Sequence, residues 1–248
     1  MSLDFHVIIP ARYKSTRLPG KLLMELEGAS VIERVYRQVL KAKPKSVMIA
    51  TDSLEIADHA RAFGATVEMT ADSHQSGTDR IAEVVAKGQF AAQDIIVNVQ
   101  GDEPLIAPEL IVQVAHSLHG SQSSMATLCW PVEHVEQLHN PNIVKVVRNR
   151  HNDALYFSRS AIPANRDAPA SIKQVFRHIG LYAYRAAFLL EVVSWSVCEL
   201  EVNEALEQLR VLWQGHKIRV DEACKKPLQD INTVDDLMLA RQLVNGPS

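Results

Sequence analysis

The sequence predicts an α/β fold with a mainly parallel central sheet and helices on both faces. Strand-like and helix-like segments alternate four times between Phe5 and Leu118, the pattern of parallel strands joined by crossover helices. The helical segments carry their own start and stop signals. The composition is that of an ordinary globular chain: 248 residues, 47% apolar and 22% charged, with 26 basic against 29 acidic side chains. Disorder, collagen and coiled coil are excluded on that ground.

Taken in order, Phe5-His6-Val7-Ile8-Ile9 is short, rich in strand formers and ends at Pro10, so it reads as a buried strand feeding a loop. Ser30 with Glu33 three residues on forms a capping-box pattern, and Val31, Ile32, Val35 and Val39 follow at helical spacing. Residues 47–50 read as a strand, 56–63 as a helix stopped by Gly64, and 65–69 as a further strand. Residues 78–87 look helical ahead of Gly88, 95–99 form an apolar strand, and Pro108 suits the first turn of a helix leading Leu110, Ile111, Val114 and Leu118. The rest is less regular, with strands expected at 124–129, 143–147, 154–157 and 217–223 and helices at 204–213 and 234–244. No internal repeat or low-complexity linker divides the chain, so 1–248 reads as one domain with halves 1–123 and 124–248, the second holding an inserted sub-region.

A net charge of −3 argues against a general nucleic-acid binder. Cys129, Cys198 and Cys224 are odd in number and widely spaced, which offers neither a disulfide framework nor a zinc site and suits a reducing compartment. Asp4 and a short apolar stretch before Arg12 do not make a signal-peptide core, and no apolar run approaches the ~20 residues of a membrane span. A cytoplasmic protein without membrane insertion is expected.

In an open α/β sheet, ligands bind beyond the carboxyl ends of the strands. There, after the first strand, runs Pro10-Ala11-Arg12-Tyr13-Lys14-Ser15-Thr16-Arg17-Leu18-Pro19-Gly20-Lys21, with four cations and no acid, which is what a triphosphate requires. It is neither a P-loop nor a dinucleotide fingerprint, because Leu22 follows Lys21 and no GxGxxG is present. In Asn98-Val99-Gln100-Gly101-Asp102-Glu103-Pro104 an apolar strand ends in acids. Asp102 could hold a hard cation there, although Gly-Asp is also an ordinary turn pair. In His74-Gln75-Ser76-Gly77-Thr78-Asp79-Arg80, Gly77 and Thr78 open a helix whose free N–H groups could meet a base or phosphate, while Thr78 as a plain N-cap explains much of it. His116, His119, His134 and His139 read as surface residues, Trp130, Trp195 and Trp213 as packing residues, and Glu201 and Glu204 as partners of a helix dipole.

ARYKSTRLPGK, HQSGTDR, VNVQGDEP, ALYFSRSAIP, RHIGLYAYR and LEQLRVLW, in this order over essentially the whole chain, resemble the 3-deoxy-D-manno-octulosonate (Kdo) cytidylyltransferases, or CMP-Kdo synthetases, of the sugar nucleotidyltransferase superfamily. The first loop and QGDEP are shared with the wider superfamily, whereas YFSR, RHIGLYAYR and LEQLR are more specific. The resemblance implies a Rossmann-like nucleotidyltransferase fold whose inserted sub-region serves sugar binding and dimerisation. It also implies Mg²⁺-dependent transfer of CMP from CTP to the anomeric hydroxyl of Kdo, with release of pyrophosphate, for lipopolysaccharide synthesis. A homodimer formed through 131–187 is implied as well. The residues follow by position: Arg12, Arg17 and Lys21 on the triphosphate, Ser76, Gly77, Thr78 and Arg80 by the base, Gln100 between nucleotide and sugar, and Asp102 on the metal. Arg159, His178, Tyr182, Glu207 and Gln208 match sugar-contacting positions.

One departure stands out. Where the family reads close to GVDTPEDL, with its first Asp a metal ligand, this chain has Gln229-Asp230-Ile231-Asn232-Thr233-Val234-Asp235-Asp236-Leu237. Asn232 takes the ligand's place and Asp230 stands two residues upstream, so either could serve the metal, or Asn232 could simply cap the following helix. Two other readings remain open: a cytidylyltransferase for another acidic keto-sugar, such as a sialic acid, and a non-catalytic nucleotide-binding module.

Overall fold

A computed structural model describes residues 3–13, 18–88, 90–228 and 230–245. The strands are β1 (His6–Ala11), β2 (Glu25–Leu26), β3 (Ala29–Ser30), β4 (Ser46–Thr51), β5 (Thr66–Met69), β6 (Ile95–Asn98), β7 (Met125–Pro131), β8 (Lys145–Arg148), β9 (Ala154–Ser158), β10 (Phe176–Arg185) and β11 (Ile218–Glu222). The helices are α1 (Val31–Lys41), α2 (Leu54–Ala62), α3 (Gly77–Lys87), α4 (Pro108–His119), α5 (Val135–His139), α6 (Ala186–Ser194), α7 (Glu199–Glu204), α8 (Gln208–Trp213) and α9 (Val234–Asn245).

The main sheet runs β11-β7-β10-β6-β1-β4-β5, with β8 paired to β10 and β9 paired to β8. β6, β1, β4 and β5 are parallel, and β10 is antiparallel to both β6 and β7. β1 has β4 on one side and β6 on the other, so the strand order reverses there and opens a crevice beyond its carboxyl end. Both faces of β1 are covered: Val7 and Ile9 pack in one apolar cluster with α1 and α4, while Ile8 packs in another with α3, α6 and α8. A run without polar alternation is what a strand buried on both faces demands.

Half of the α1 capping box forms, with the Ser30 hydroxyl accepting from the Glu33 N–H at 3.2 Å, while the Glu33 carboxylate pairs with Arg37 at 2.5 Å. Several features differ from the sequence reading. β1 continues through Pro10 to Ala11, because β6 pairs it only as far as Ile8, and beyond that point proline's missing N–H costs no ladder bond on that side. The helix expected at 204–213 is two helices, α7 and α8, broken where Ala205 turns left-handed at φ 48°, ψ 53°. Glu204 is therefore the last residue of α7 rather than an N-terminal dipole partner. RHIGLYAYR lies within the long strand β10, and Trp213 is 55% exposed rather than packed inside.

Candidate active site

The first part of the site forms where the β1 and β6 carboxyl ends meet the segment before α9. Gly20, at φ 68°, turns the chain into a short 3₁₀ turn (Lys21–Leu23), and buried Leu22 holds that turn in the core. Gly101 permits the β6 loop to press on the β1 end, since a Cβ there would sit 3.0 Å from the Pro10 carbonyl oxygen. Lys21 Nζ then lies 2.5 Å from Asp102 Oδ2, 2.8 Å from the Ile231 carbonyl oxygen and 3.5 Å from Asn232 Oδ1. The Ile231 N–H donates to the Asp102 carbonyl at 2.9 Å, tying the two loops together.

This corner holds more acid than base. Desolvation, then Asp102 and Asp230, pushes Glu103 up to about 8, and desolvation with the Asp102 charge raises Asp230. The Asn232 amide nitrogen donates to the Asp230 carboxylate. Asn232 is not the helix cap: the Thr233 hydroxyl accepts from the Asp236 N–H at 3.2 Å, while the Asp236 carboxylate accepts from the Asn232 and Thr233 N–H groups at 3.0 and 2.8 Å. The Asn232 side chain belongs to the acidic corner instead.

The second part is a cavity of about 200 Å³ lined by Thr78, Asn98, Gln100, Tyr182, Glu207 and Gln208 among others. Ser76, not Thr78, caps α3, its hydroxyl accepting from the Asp79 N–H at 3.1 Å. Thr78 is thereby left to face Glu207 and Tyr184 across the lining. Protein crowds the Glu207 carboxyl and pushes its pKa up, although the residue as a whole is open to solvent. Two buried polar atoms among the described residues of this lining have no hydrogen-bond partner, Asn98 Oδ1 and Gln208 Nε2. Arg210, also in the lining, pairs with Glu201 at 2.5 Å, so buried Glu201 is an ion-pair partner as well as a first-turn acid of α7.

His178 is half-buried, edge-on to Phe157 at 5.1 Å between ring centroids and 5.3 Å from the Tyr182 ring. Desolvation holds its pKa down at about 3, so it is neutral at ordinary pH. Arg159 spends its guanidinium on backbone: Nε on Glu204 O at 2.6 Å, Nη1 on Pro141 O at 2.9 Å and Nη2 on Ala205 O at 3.2 Å. Arg80 is 3% exposed and pairs with Asp52 at 3.3 Å and with the Thr70 hydroxyl, bracing α3 against the ends of β4 and β5. Arg12 is exposed beside the crevice, and Arg17 lies outside the described residues.

A cytidylyltransferase family model matches residues 6–218. The 3-deoxy-manno-octulosonate cytidylyltransferase of Legionella pneumophila (strain Corby) is 66% identical over 242 residues, covering 98% of this chain and 97% of the relative. The chain belongs to the 3-deoxy-manno-octulosonate cytidylyltransferase family. A member from Francisella tularensis subsp. novicida (strain U112) is 51% identical over 247 residues, covering 98% of this chain and 99% of its own. A solved CMP:2-keto-3-deoxy-manno-octonic acid synthetase complexed with CTP superposes with a TM-score of 0.91 at 37% identity, covering 98% of this chain and 99% of that one.

In this cytidylyltransferase the fold brings Lys21, Asp102, Asp230 and Asn232 into one corner, and Gly77, Thr78, Gln100, Tyr182, Glu207 and Gln208 around one cavity. It turns the guanidiniums of Arg80 and Arg159 to protein partners. Asn98 was not singled out from sequence. Its signal was a polar residue at the end of an otherwise apolar strand, one position before the Val99 that continues the run.

Proposed function

We propose that the chain transfers CMP from CTP to the anomeric hydroxyl of Kdo, giving CMP-Kdo and pyrophosphate, with Mg²⁺ as cofactor. We propose further that it does so as a cytoplasmic homodimer and activates Kdo for lipopolysaccharide synthesis. Residues 1–123 would supply the nucleotide side, and 124–248 the sugar side and the dimer contact. The observation that carries the reading is the short span from Gln100 to Asp102, which sets a polar cavity beside an acidic corner at the crevice where ligands bind.

The donor set fits Mg²⁺, because Asp102, Asp230 and the Asn232 amide offer only hard oxygens, and this ion is commonly held by one or two carboxylates plus substrate phosphates. Bound there, it would neutralise charge on the phosphates of CTP. The chain's own residues do the positioning. Arg12 and Lys21 meet the triphosphate, and Glu207, Gln208, Tyr182 and Gln100 hold the sugar so that its anomeric oxygen lies in line with the α-phosphorus and opposite the departing pyrophosphate. As the bond from the anomeric oxygen to the α-phosphorus forms, the hydroxyl proton passes to water and the bond to pyrophosphate breaks, and Lys21 shares the negative charge that builds up.

Pyrophosphate release should be measured with CTP and Mg²⁺ over a panel of keto-acid sugars that includes Kdo and a sialic acid. Kdo is the expected acceptor; a preference for sialic acid, or no turnover with any sugar, would overturn the reading. Asp102→Asn should keep its circular dichroism spectrum and lose at least about 100-fold in kcat. Near-normal turnover at saturating Mg²⁺ would remove Asp102 from the metal.

A further inference from the structure

Thr127 is fully buried on β7 at the point where β10 bulges. The pairing steps from Ile179 opposite Leu128 to Tyr182 opposite Thr127, so β10 carries extra residues there, Gly180 and Leu181. Thr127 Oγ1 has three partners: the carbonyl oxygens of Ile179 and Leu181, each at 2.8 Å, and His178 Nε2 at 3.1 Å. A hydroxyl has one hydrogen to give and lone pairs with which to receive. The two carbonyl oxygens only accept, so the Thr127 hydrogen points between them.

The third partner must then be a donor. A bare Nε2 would leave three acceptors around a single hydrogen in a buried place, with no partner for at least one of them. His178 therefore carries its hydrogen on Nε2. The ring is neutral, since desolvation keeps its pKa at about 3, so it has no second hydrogen, and Nδ1 presents a lone pair. No hydrogen bond among the described residues reaches Nδ1.

We propose that Thr127 is a positioning residue that fixes His178 as the Nε2–H tautomer, so that Nδ1 accepts a hydrogen bond from a hydroxyl of the acceptor sugar. The inference rests on the reading, implied by the family resemblance, that His178 meets the sugar; its ring lies 5.3 Å from that of Tyr182, which lines the cavity. It makes His178 a reader of hydroxyl groups. The carboxylate of a keto-acid sugar would face a lone pair there and must be met elsewhere. It also explains why β7 carries threonine where valine has nearly the same shape: only the hydroxyl can take the imidazole hydrogen and fill the bulge carbonyls at once.

The test combines ¹⁵N-histidine NMR on the full chain with steady-state kinetics. In the wild type, the His178 signals should show a protonated Nε2 and a bare Nδ1 from about pH 5.5 to 8.5. Thr127→Val should populate the other tautomer and raise the sugar KM about tenfold, the worth of one hydrogen bond, while the CTP KM stays put. Thr127→Ser should restore both. If Thr127→Val does not fold, the wild-type and Thr127→Ser spectra still decide. A wild-type Nδ1–H tautomer overturns the inference, and so does a folded Thr127→Val protein with an unchanged sugar KM. His178→Ala separates the two failures. If it raises the sugar KM while Thr127→Val does not, only the tautomer inference falls; if it too leaves the sugar KM unchanged, the placement of His178 on the sugar falls with it.

Discussion

Asn232 occupies the position at which the resemblance expects a charged metal ligand, and its surroundings describe what replaces that charge. Its amide nitrogen donates to the Asp230 carboxylate and its oxygen lies toward Lys21, so the amide bridges the two charged groups. Asp230 supplies the anion from two residues upstream, within the field of Asp102 that raises its pKa. A neutral amide is a weaker ligand for a hard cation than a carboxylate, so if the proposed Mg²⁺ binds here, Asp230 would carry most of the second ligand's work. In Mn²⁺ titrations followed by electron paramagnetic resonance in the presence of CTP, Asp230→Asn should weaken binding about tenfold or more. Asn232→Ala should weaken it less, and Asn232→Asp should tighten it. Wild-type affinity in Asp230→Asn would remove Asp230 from the site.

The elements around the cavity are joined by a buried lysine and a half-buried arginine that bind backbone. Lys145 is fully buried and donates to the carbonyl oxygens of Asn140 at 3.0 Å, Ile143 at 2.6 Å and Arg159 at 2.6 Å. Arg159 passes the connection on to the carbonyls of Glu204 and Ala205, the turn that leads into Glu207 and Gln208. Lys145→Met would leave three carbonyls without a donor and should cost at least about 3 kcal/mol in urea denaturation. Ala205→Gly relieves a left-handed non-glycine residue and should gain about 1 kcal/mol with the sugar KM unchanged. Equal stability of Lys145→Met and wild type would dismiss the brace. These elements also mark where sequence reasoning stopped. The strands and helices of the first half declared themselves through period and caps, as Ser30 and Glu33 do, and the chemistry of Lys21 and Asp102 through their place at strand ends. The break at Ala205 had no glycine to announce it. Arg159 and Arg80 had the residue type of ligand binders, and only tertiary geometry shows their guanidiniums engaged by protein. Asn98 lay hidden in an apolar run because its buried, unpartnered side-chain oxygen faces the cavity only in three dimensions.

Over the whole molecule, the net charge of −3 conceals a separation of signs, with Arg12 and Lys21 after β1 and carboxylates at Asp102 and Asp230. The sheet also has an unfinished edge. Among the described residues β9 pairs only with β8, and the register passes from Tyr156 opposite Val147 to Ala154 opposite Arg148, leaving Leu155 as the extra residue of a bulge. The bulge turns Leu155 outward, where it is 59% exposed, while Phe157 stays buried against His178. A bulged edge resists further ladder pairing, so the proposed two-fold contact would pack side chains such as Leu155 rather than extend the sheet. Because Phe157 touches His178, a partner seated on β9 would also steady the sugar side of the site. Analytical ultracentrifugation should find the wild type at twice the 27.6 kDa chain mass and Leu155→Glu at one chain mass. The variant's sugar KM should rise while its CTP KM holds. A monomeric wild type would sink the dimer, and a Leu155→Glu protein that still sediments as a dimer would move the contact away from β9.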